Sequence, residues 1–385
     1  MRDVVIVEAV RTPIGRRGGK LSGVHAVDLA AHVLREVVRR AGIEPGTVED
    51  VVMGCVSQAG EQSTNIGRNA VLAAGFPYTV PGTTVDRQCG SGQQAVHFAA
   101  NLIQAGVCDV AIGAGVEMMS RVPLGINAAN GPGFPFNETI RAQYELTSQG
   151  IAAENIALKW GISRRDADEF GAWSQQKAAR ARDEGRFDRE IVPVEVELEG
   201  VRTTVTQDEG IRPGTTPEIL ATLKPSFKED GVHTAGTSSQ ISDGAAAVLL
   251  MAAERAQALG LRPRARIVAQ AVVGSDPELM LTGPITATPK VLERAGLALA
   301  DLDLIEINEA FASVVLAWER ELRPDMAKVN VNGGAIALGH PTGCTGARLV
   351  TTLLHELERR GGRYGLVTMC CGGGLGTATV IERLD

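Results

Sequence analysis

Cys89, His340, Cys370 and Asn308 are the residues of this 385-residue chain whose types and settings could do chemistry together. Cys89 follows the strand-like run Thr83-Thr84-Val85-Asp86 and precedes Gly90-Ser91-Gly92, where a helical pattern begins. A cysteine at such a junction faces the positive end of a helix dipole, which favours thiolate over thiol. Glycines beside it let a ligand approach the backbone closely. The thiolate would attack a carbonyl or thioester carbon. A buried structural cysteine in a tight turn explains the same residue equally well.

His340 lies in Gly339-His340-Pro341-Thr342-Gly343-Cys344-Thr345-Gly346. The glycines predict an irregular backbone that projects an imidazole, the side chain best suited to exchange protons near neutral pH, into a cavity. A satisfied loop histidine is the alternative. Cys370-Cys371-Gly372-Gly373-Gly374 follows the apolar run Leu366-Val367-Thr368-Met369. Its glycines could present N–H groups to an oxyanion, cradle a phosphate or simply turn the chain, and no P-loop Lys-Ser/Thr follows them. Asn308, in Glu306-Ile307-Asn308-Glu309-Ala310-Phe311, either caps a helix or turns its amide to a water or a carbonyl oxygen. All four motifs lie just past a strand-like segment, where open α/β folds place ligand sites.

The elements that must position them alternate. Apolar patterning predicts strands over 4–7, 51–53, 83–86 and 110–113 and helices over 26–41, 66–74 and 92–105. The order recurs later, with strands over 266–273, 304–307, 328–330 and 365–369, helices over 289–295, 311–322 and 345–360, and a final edge over 380–382. This reads as a duplicated α/β domain of βαβ units with a largely parallel sheet. Between the halves the character changes: 125–137 is rich in Gly, Pro and Asn, 150–160 and 166–185 read as helices, and 192–226 mixes short strands with turns. Such an insertion commonly covers a binding site.

Composition narrows the classes. A 44% hydrophobic content is ample for more than one core, and a net charge of −7 argues against a nucleic-acid surface. No apolar run approaches the roughly 20 residues that span a bilayer, and the N-terminus reads as a buried strand, so a cytoplasmic, membrane-free protein is expected. The six cysteines are dispersed and form no CxxC pair, which points away from zinc and disulfides and towards a reducing compartment.

Taken together, the motifs resemble the thiolase family along essentially the whole chain, from Glu8-Ala9-Val10-Arg11-Thr12-Pro13-Ile14-Gly15 to the C-terminal glycines. The resemblance implies a five-layered α-β-α-β-α fold of two thiolase-like βαβαβαββ domains, 1–117 with 242–264 and 265–385, and a CoA-binding loop domain over 118–241. It implies CoA-dependent cleavage of a 3-ketoacyl-CoA, or the reverse Claisen condensation, through an acyl-Cys89 intermediate. In that scheme His340 activates Cys89, and Cys370 is the acid/base towards the second substrate. Cys370 is preferred to Cys371 because one residue separates the cysteine from the glycines in the family pattern. One oxyanion hole would pair His340 with a water held by Asn308, and the other the backbone N–H groups of Cys89 and Gly372. Arg212 matches a position near the adenine nucleotide and Ser239 one near the pantetheine arm, with a solvated arginine and a turn serine as alternatives. Gln149, Phe227, Ala235 and Phe311 are further contacts that the resemblance implies for CoA or substrate. CoA thioesters are substrates, no metal or bound cofactor is implied, and a homodimer or homotetramer is expected.

Ser148-Gln149 stands before Gly150, where thiolases devoted to acetoacetyl-CoA often carry His-Met. With Gly236–Gly244 similar to degradative members acting on longer or steroid-type chains, this favours degradation over a biosynthetic acetoacetyl-CoA role. A ketoacyl synthase would lack the second active cysteine, and a non-catalytic acyl-CoA or lipid carrier would have lost a reactive residue.

Overall fold

The computed structural model describes residues 2–129 and 131–384. The first half runs β1 (Val4–Arg11), β2 (Gly15–Arg16), α1 (Ala26–Ala41), β3 (Asp50–Gly54), α2 (Ile66–Ala73), β4 (Thr83–Val85), α3 (Ser91–Gln104) and β5 (Val110–Met118). The middle carries α4 (Ile126–Ala129), α5 (Glu138–Gln143), α6 (Gln149–Lys159), α7 (Arg164–Asp183), β6 (Val194–Leu198), β7 (Val201–Val205) and α8 (Pro217–Ala221). Then follow β8 (Ser242–Ala252), α9 (Ala253–Ala258), β9 (Ala265–Gly274), α10 (Gly283–Ala295), β10 (Leu304–Ile307), α11 (Ala312–Leu322), α12 (Ala335–Leu338), α13 (Thr342–Arg360), β11 (Tyr364–Cys371) and β12 (Leu375–Arg383).

Burial assigns the layers. One face of α1 (Leu29, Val33, Leu34, Val37) packs on the first half-sheet, and Gly42 in the left-handed region ends the helix. Helices α3 and α13 are instead buried on nearly every side, α13 without interruption from Thr342 to Leu357. They form the central layer between the half-sheets, with α1 and α2 outside one and α10 and α11 outside the other. That is the five-layered, duplicated α/β fold.

Strands run in the order β10-β11-β12-β9-β1-β8-β5-β3-β4. Read outward from the seam, β1-β8-β5-β3-β4 in one half matches β9-β12-β11-β10 in the other. The missing last strand corresponds to Val329, which makes only an isolated parallel bridge to Ile305.

Three expectations are corrected here. The sheet is mixed, not largely parallel: six strand pairings are antiparallel and three parallel, because only the outer βαβ units of each half cross over. Residues 328–330 are no strand, since a 3-10 turn at Met326–Lys328 and a positive φ of 41° at Asn330 bend the chain away after one bridge. The segment over 380–382 belongs to β12, which pairs with β11 on one side and β9 on the other and so is no edge. In addition, α10 begins at Gly283 with Pro284 in its first turn and carries Pro289 inside. Within the stretch over 125–137, the helical turn Ile126–Ala129 and Asn137, the N-cap of α5, interrupt the loop, and residue 130 lies outside the described residues.

Candidate active site

The site forms where the central helices begin. Gly92 in the first turn of α3 faces the first turn of α13 so closely that a Cβ there would stand 2.7 Å from the carbonyl oxygen of Gly343 and 2.9 Å from the nitrogen of Ala347. This contact between helix starts, one from each half, brings Cys89 and His340 into one region.

Cys89 sits just before Gly90, the N-cap of α3, on a turn that holds Gln88 at φ 50°. A non-glycine residue in the left-handed region is uncommon and marks a constrained turn. The N–H groups of Gly90 and Ser91 are satisfied by Arg87 and Gln88, at 3.0 and 2.9 Å. The thiol is hydrogen-bonded by the backbone of Gly372 and by its own. Burial nevertheless pushes Cys89 up to about 11, with the negative charges of Glu117 and Asp86 adding to the rise and those N–H groups opposing it. The expectation of a thiolate stabilised at rest is therefore corrected: burial outweighs the helix end, and attack needs a base.

His340 supplies the imidazole. Gly339 takes φ 110° against Ser242 and Ile14, and a Cβ there would stand 2.8 Å from Ile14 Cγ2. The His340 N–H donates to the Gln240 carbonyl at 3.1 Å and Ser242 Oγ at 3.2 Å. Its Nδ1 lies 2.6 Å from Thr345 Oγ1 and its Nε2 3.4 Å from Asn308 Nδ2. Burial first, then Arg348, pushes the ring down to about 3, so it is neutral at rest.

Asn308 follows β10 beside β11, its N–H on the Thr368 carbonyl at 3.0 Å. It does not cap α11, whose N-cap is Phe311. Its Oδ1 is buried without a hydrogen-bond partner, ready to hold a water or ligand donor. Glu309 beside it is tied down by Ser174 of α7 at 2.6 Å and Asn330 at 2.9 Å.

Cys370 and Cys371 end β11, where neighbouring side chains point to opposite faces. Both thiols are raised by burial first and by the charge of Cys89 second, and a Cβ on Gly90 would stand 2.6 Å from Cys371 Sγ, so the end of β11 packs on the turn that carries Cys89. Cys371 hydrogen-bonds Thr377 and the backbone of Gly90, whereas Cys370 packs with Ala152, Ile156 and Val314 of α6 and α11. Gly373 and Gly374, at φ 80° and 75°, turn the chain from β11 into β12. A strand-to-strand turn offers no helix N-terminus, which removes the phosphate-cradle reading. Cys89 is 7% and His340 5% exposed, while Cys370 and Asn308 are fully buried.

Of the remaining candidates, all but Arg212 lie on segments that pack near this centre. The Nε2 of Gln149, at the start of α6, is 3.6 Å from where a Cβ on Gly372 would stand. Phe227 and Phe311 meet edge to face at 5.6 Å, and the Ser239 N–H donates to the Ala310 carbonyl at 2.9 Å. Ala235 is exposed in the same segment. Arg212 lies apart, exposed, with its N–H on Gln175 Oε1 at 2.7 Å. Gln240 links its loop to the histidine, donating to the carbonyls of Gly210 at 3.0 Å and Ala337 at 3.1 Å.

Sequence reasoning missed Glu117. Its buried carboxyl group accepts from Val56 and Ser57 N–H, Gln62 Nε2, Thr342 Oγ1 and Gly343 N–H at 2.8–3.0 Å. It pins the start of α13 to the first half. The available signal was a single carboxylate in the otherwise apolar strand Val110–Met118.

A thiol among backbone donors, a neutral imidazole and a second thiol in a duplicated α/β frame define an acyl-transferring enzyme. The chain belongs to the thiolase family: residues 4–254 match the thiolase N-terminal domain and residues 261–383 the thiolase C-terminal domain. It is similar to the 3-ketoacyl-CoA thiolase of Bacillus subtilis, 47% identical over 99% of this chain and all of that one. It is 48% identical to the steroid 3-ketoacyl-CoA thiolase FadA6 of Mycobacterium tuberculosis, over all of this chain and 95% of that one. The crystal structure of the Bacillus anthracis acetyl-CoA acetyltransferase superposes with a TM-score of 0.93 at 44% identity, covering 100% of this chain and 99% of that one. Among the described residues no helix is long and apolar enough to cross a membrane.

Proposed function

We propose that the protein cleaves 3-ketoacyl-CoA with a second molecule of CoA, giving acetyl-CoA and a shortened acyl-CoA. His340 Nε2 takes the Cys89 proton, and the sulfur attacks the 3-keto carbon. The bond between the second and third carbons breaks, and the electron pair stays with the acetyl-CoA enolate. Cys370 donates its proton to that carbon, and the acyl group remains on Cys89. The incoming CoA gives up its proton to Cys370 and attacks the thioester, and Cys89 leaves as a thiolate that recovers its proton from His340. Backbone N–H groups of Cys89 and Gly372 would hold the tetrahedral oxyanion, and His340 with a water on Asn308 Oδ1 the enolate oxygen. The observation that supports this reading is the close packing of the Cys89 turn on the end of β11: a Cβ on Gly372 would stand 3.3 Å from Gln88 Oε1, and one on Gly90 2.6 Å from Cys371 Sγ.

Cys371 is already engaged by Thr377 and Gly90, which favours Cys370 as the acid/base. Residues 118–241 are taken as the loop domain that receives CoA, with Gln149, Arg212, Phe227, Ala235, Ser239 and Phe311 as its contacts. The domain limits are taken as 1–117 with 242–264 and 265–385. CoA is a substrate and no metal or resident cofactor is required. A cytoplasmic homodimer or homotetramer completes the reading, and sedimentation of the purified chain tests the assembly. Ser148-Gln149 and the names of the two curated relatives favour acyl chains longer than acetoacetyl. Thiolysis rates from acetoacetyl-CoA to a steroid-sized 3-ketoacyl-CoA test this, and a clear preference for acetoacetyl-CoA would reverse the substrate assignment.

A further inference from the structure

We propose that Thr345 is a positioning residue whose hydroxyl holds His340 in the tautomer protonated on Nδ1, leaving Nε2 bare to receive the Cys89 proton. This rests on the reading of His340 as the base. Thr345 lies in the first turn of α13, and its Oγ1 donates to the Pro341 carbonyl four residues earlier at 2.8 Å. Such back-bonding is the ordinary habit of threonine in helices. With the hydroxyl's one hydrogen on that carbonyl, its oxygen accepts from the ring nitrogen 2.6 Å away. In that arrangement His340 carries its proton on Nδ1.

The other nitrogen agrees. Nε2 faces Asn308 Nδ2 at 3.4 Å, and an amide N–H can meet only a nitrogen that has no hydrogen of its own. With the opposite tautomer two N–H groups would confront each other in a buried space, where an unmade hydrogen bond is costly. The ring is neutral at rest because it is buried near Arg348. On accepting the proton, the imidazolium donates from both nitrogens: Nδ1 keeps Thr345, and Nε2 turns from base into donor for the enolate oxygen. One fixed hydroxyl thereby lets a single imidazole serve both roles in succession. Nothing in the motif's spacing distinguished Thr345 from a helix-start residue.

The tautomer is read directly by nitrogen-15 NMR of the histidine rings, with His340 assigned by its loss in His340→Asn. The expected signature in the unaltered protein is a protonated Nδ1 and a bare Nε2. Thr345→Val removes the hydroxyl at constant shape. It should slow single-turnover acylation of Cys89 by about 10- to 100-fold, within the roughly 10²–10⁴ that a general base supplies. Its KM should stay within about twofold, and its ring signature should shift towards protonated Nε2. Thr345→Ser should recover most of the rate and the original signature. A protonated Nε2 in the unaltered protein overturns the proposal even if Thr345→Val does not fold, as does a Thr345→Val enzyme with unchanged rate and signature. Acylation at the unaltered rate in His340→Asn would instead remove the base reading itself. An inactive His340→Asn beside an unaffected Thr345→Val removes Thr345 alone.

Discussion

The junction into α3 and the junction into α13 occupy equivalent places in the two halves, and each carries a cysteine with a different fate. Cys89 stands before the N-cap, outside the helix, where backbone N–H groups reach its sulfur. Cys344 is the third residue of α13, inside the first turn, and is packed between layers with no exposure. Burial lifts the first to about 11 and the second to about 12, so acidity at rest barely separates them. What separates them is access and a base: the second junction spends its irregular residues on His340 instead of on a thiol. A duplicated frame thus divides the labour, with one copy presenting the nucleophile and the other the groups that act on it.

The strongest way to break this comparison is Cys89→Ser. Thiolysis should fall by roughly 10⁴-fold or more, with no acyl adduct in the mass spectrum and CoA binding retained. An adduct on Cys344 would erase the distinction between the junctions. Cys370→Ala should lower carbon–carbon cleavage by about 10²–10⁴-fold while Cys89 is still acylated by acyl-CoA, a split read by comparing steady-state turnover with adduct formation. Glu117→Ala leaves five N–H and O–H donors from both halves, and the Cys55 thiol, without their shared acceptor. It should cost roughly 3 kcal/mol or more, measured as a lower urea midpoint, and activity should fall with it because the start of α13 is no longer pinned. The finest test is alkylation. With its thiol raised to about 11, Cys89 should react with iodoacetamide at a rate climbing about tenfold per pH unit from 7 to 9 without a plateau. Cys344 should stay unlabelled throughout, and Cys344→Ala should leave thiolysis unchanged at a stability cost of about 1 kcal/mol.

Much of the frame was legible in the residues. Apolar periodicity gives 26–41 with the observed ends of α1 and 304–307 with those of β10. Three motifs stood out because glycines flank a cysteine or histidine, and all four because each lies just past a strand-like segment. Illegible were features set by partners distant in sequence. The antiparallel pairing of β8 with β1 and β5 depends on a strand that returns after the whole insertion. Val329 alternates with Val331 as a strand residue would, and the 3-10 turn before it together with the positive φ at Asn330 stops the strand. The resting state of Cys89 was misjudged because a helix end can be read from sequence, whereas burial between two layers cannot. Glu117 acts through atoms contributed by other segments, and no spacing announces that.

The half-sheets meet along a narrow seam: β1 and β9 share only the pairs Val5 with Arg266 and Ile6 with Ala265. Sulfur and imidazole come from opposite sides of it, so their alignment is a property of how two bodies dock and belongs to neither alone. Mild denaturant, pressure or a bulky residue between the helices could therefore silence turnover while every strand ladder, and the circular dichroism it produces, stays intact.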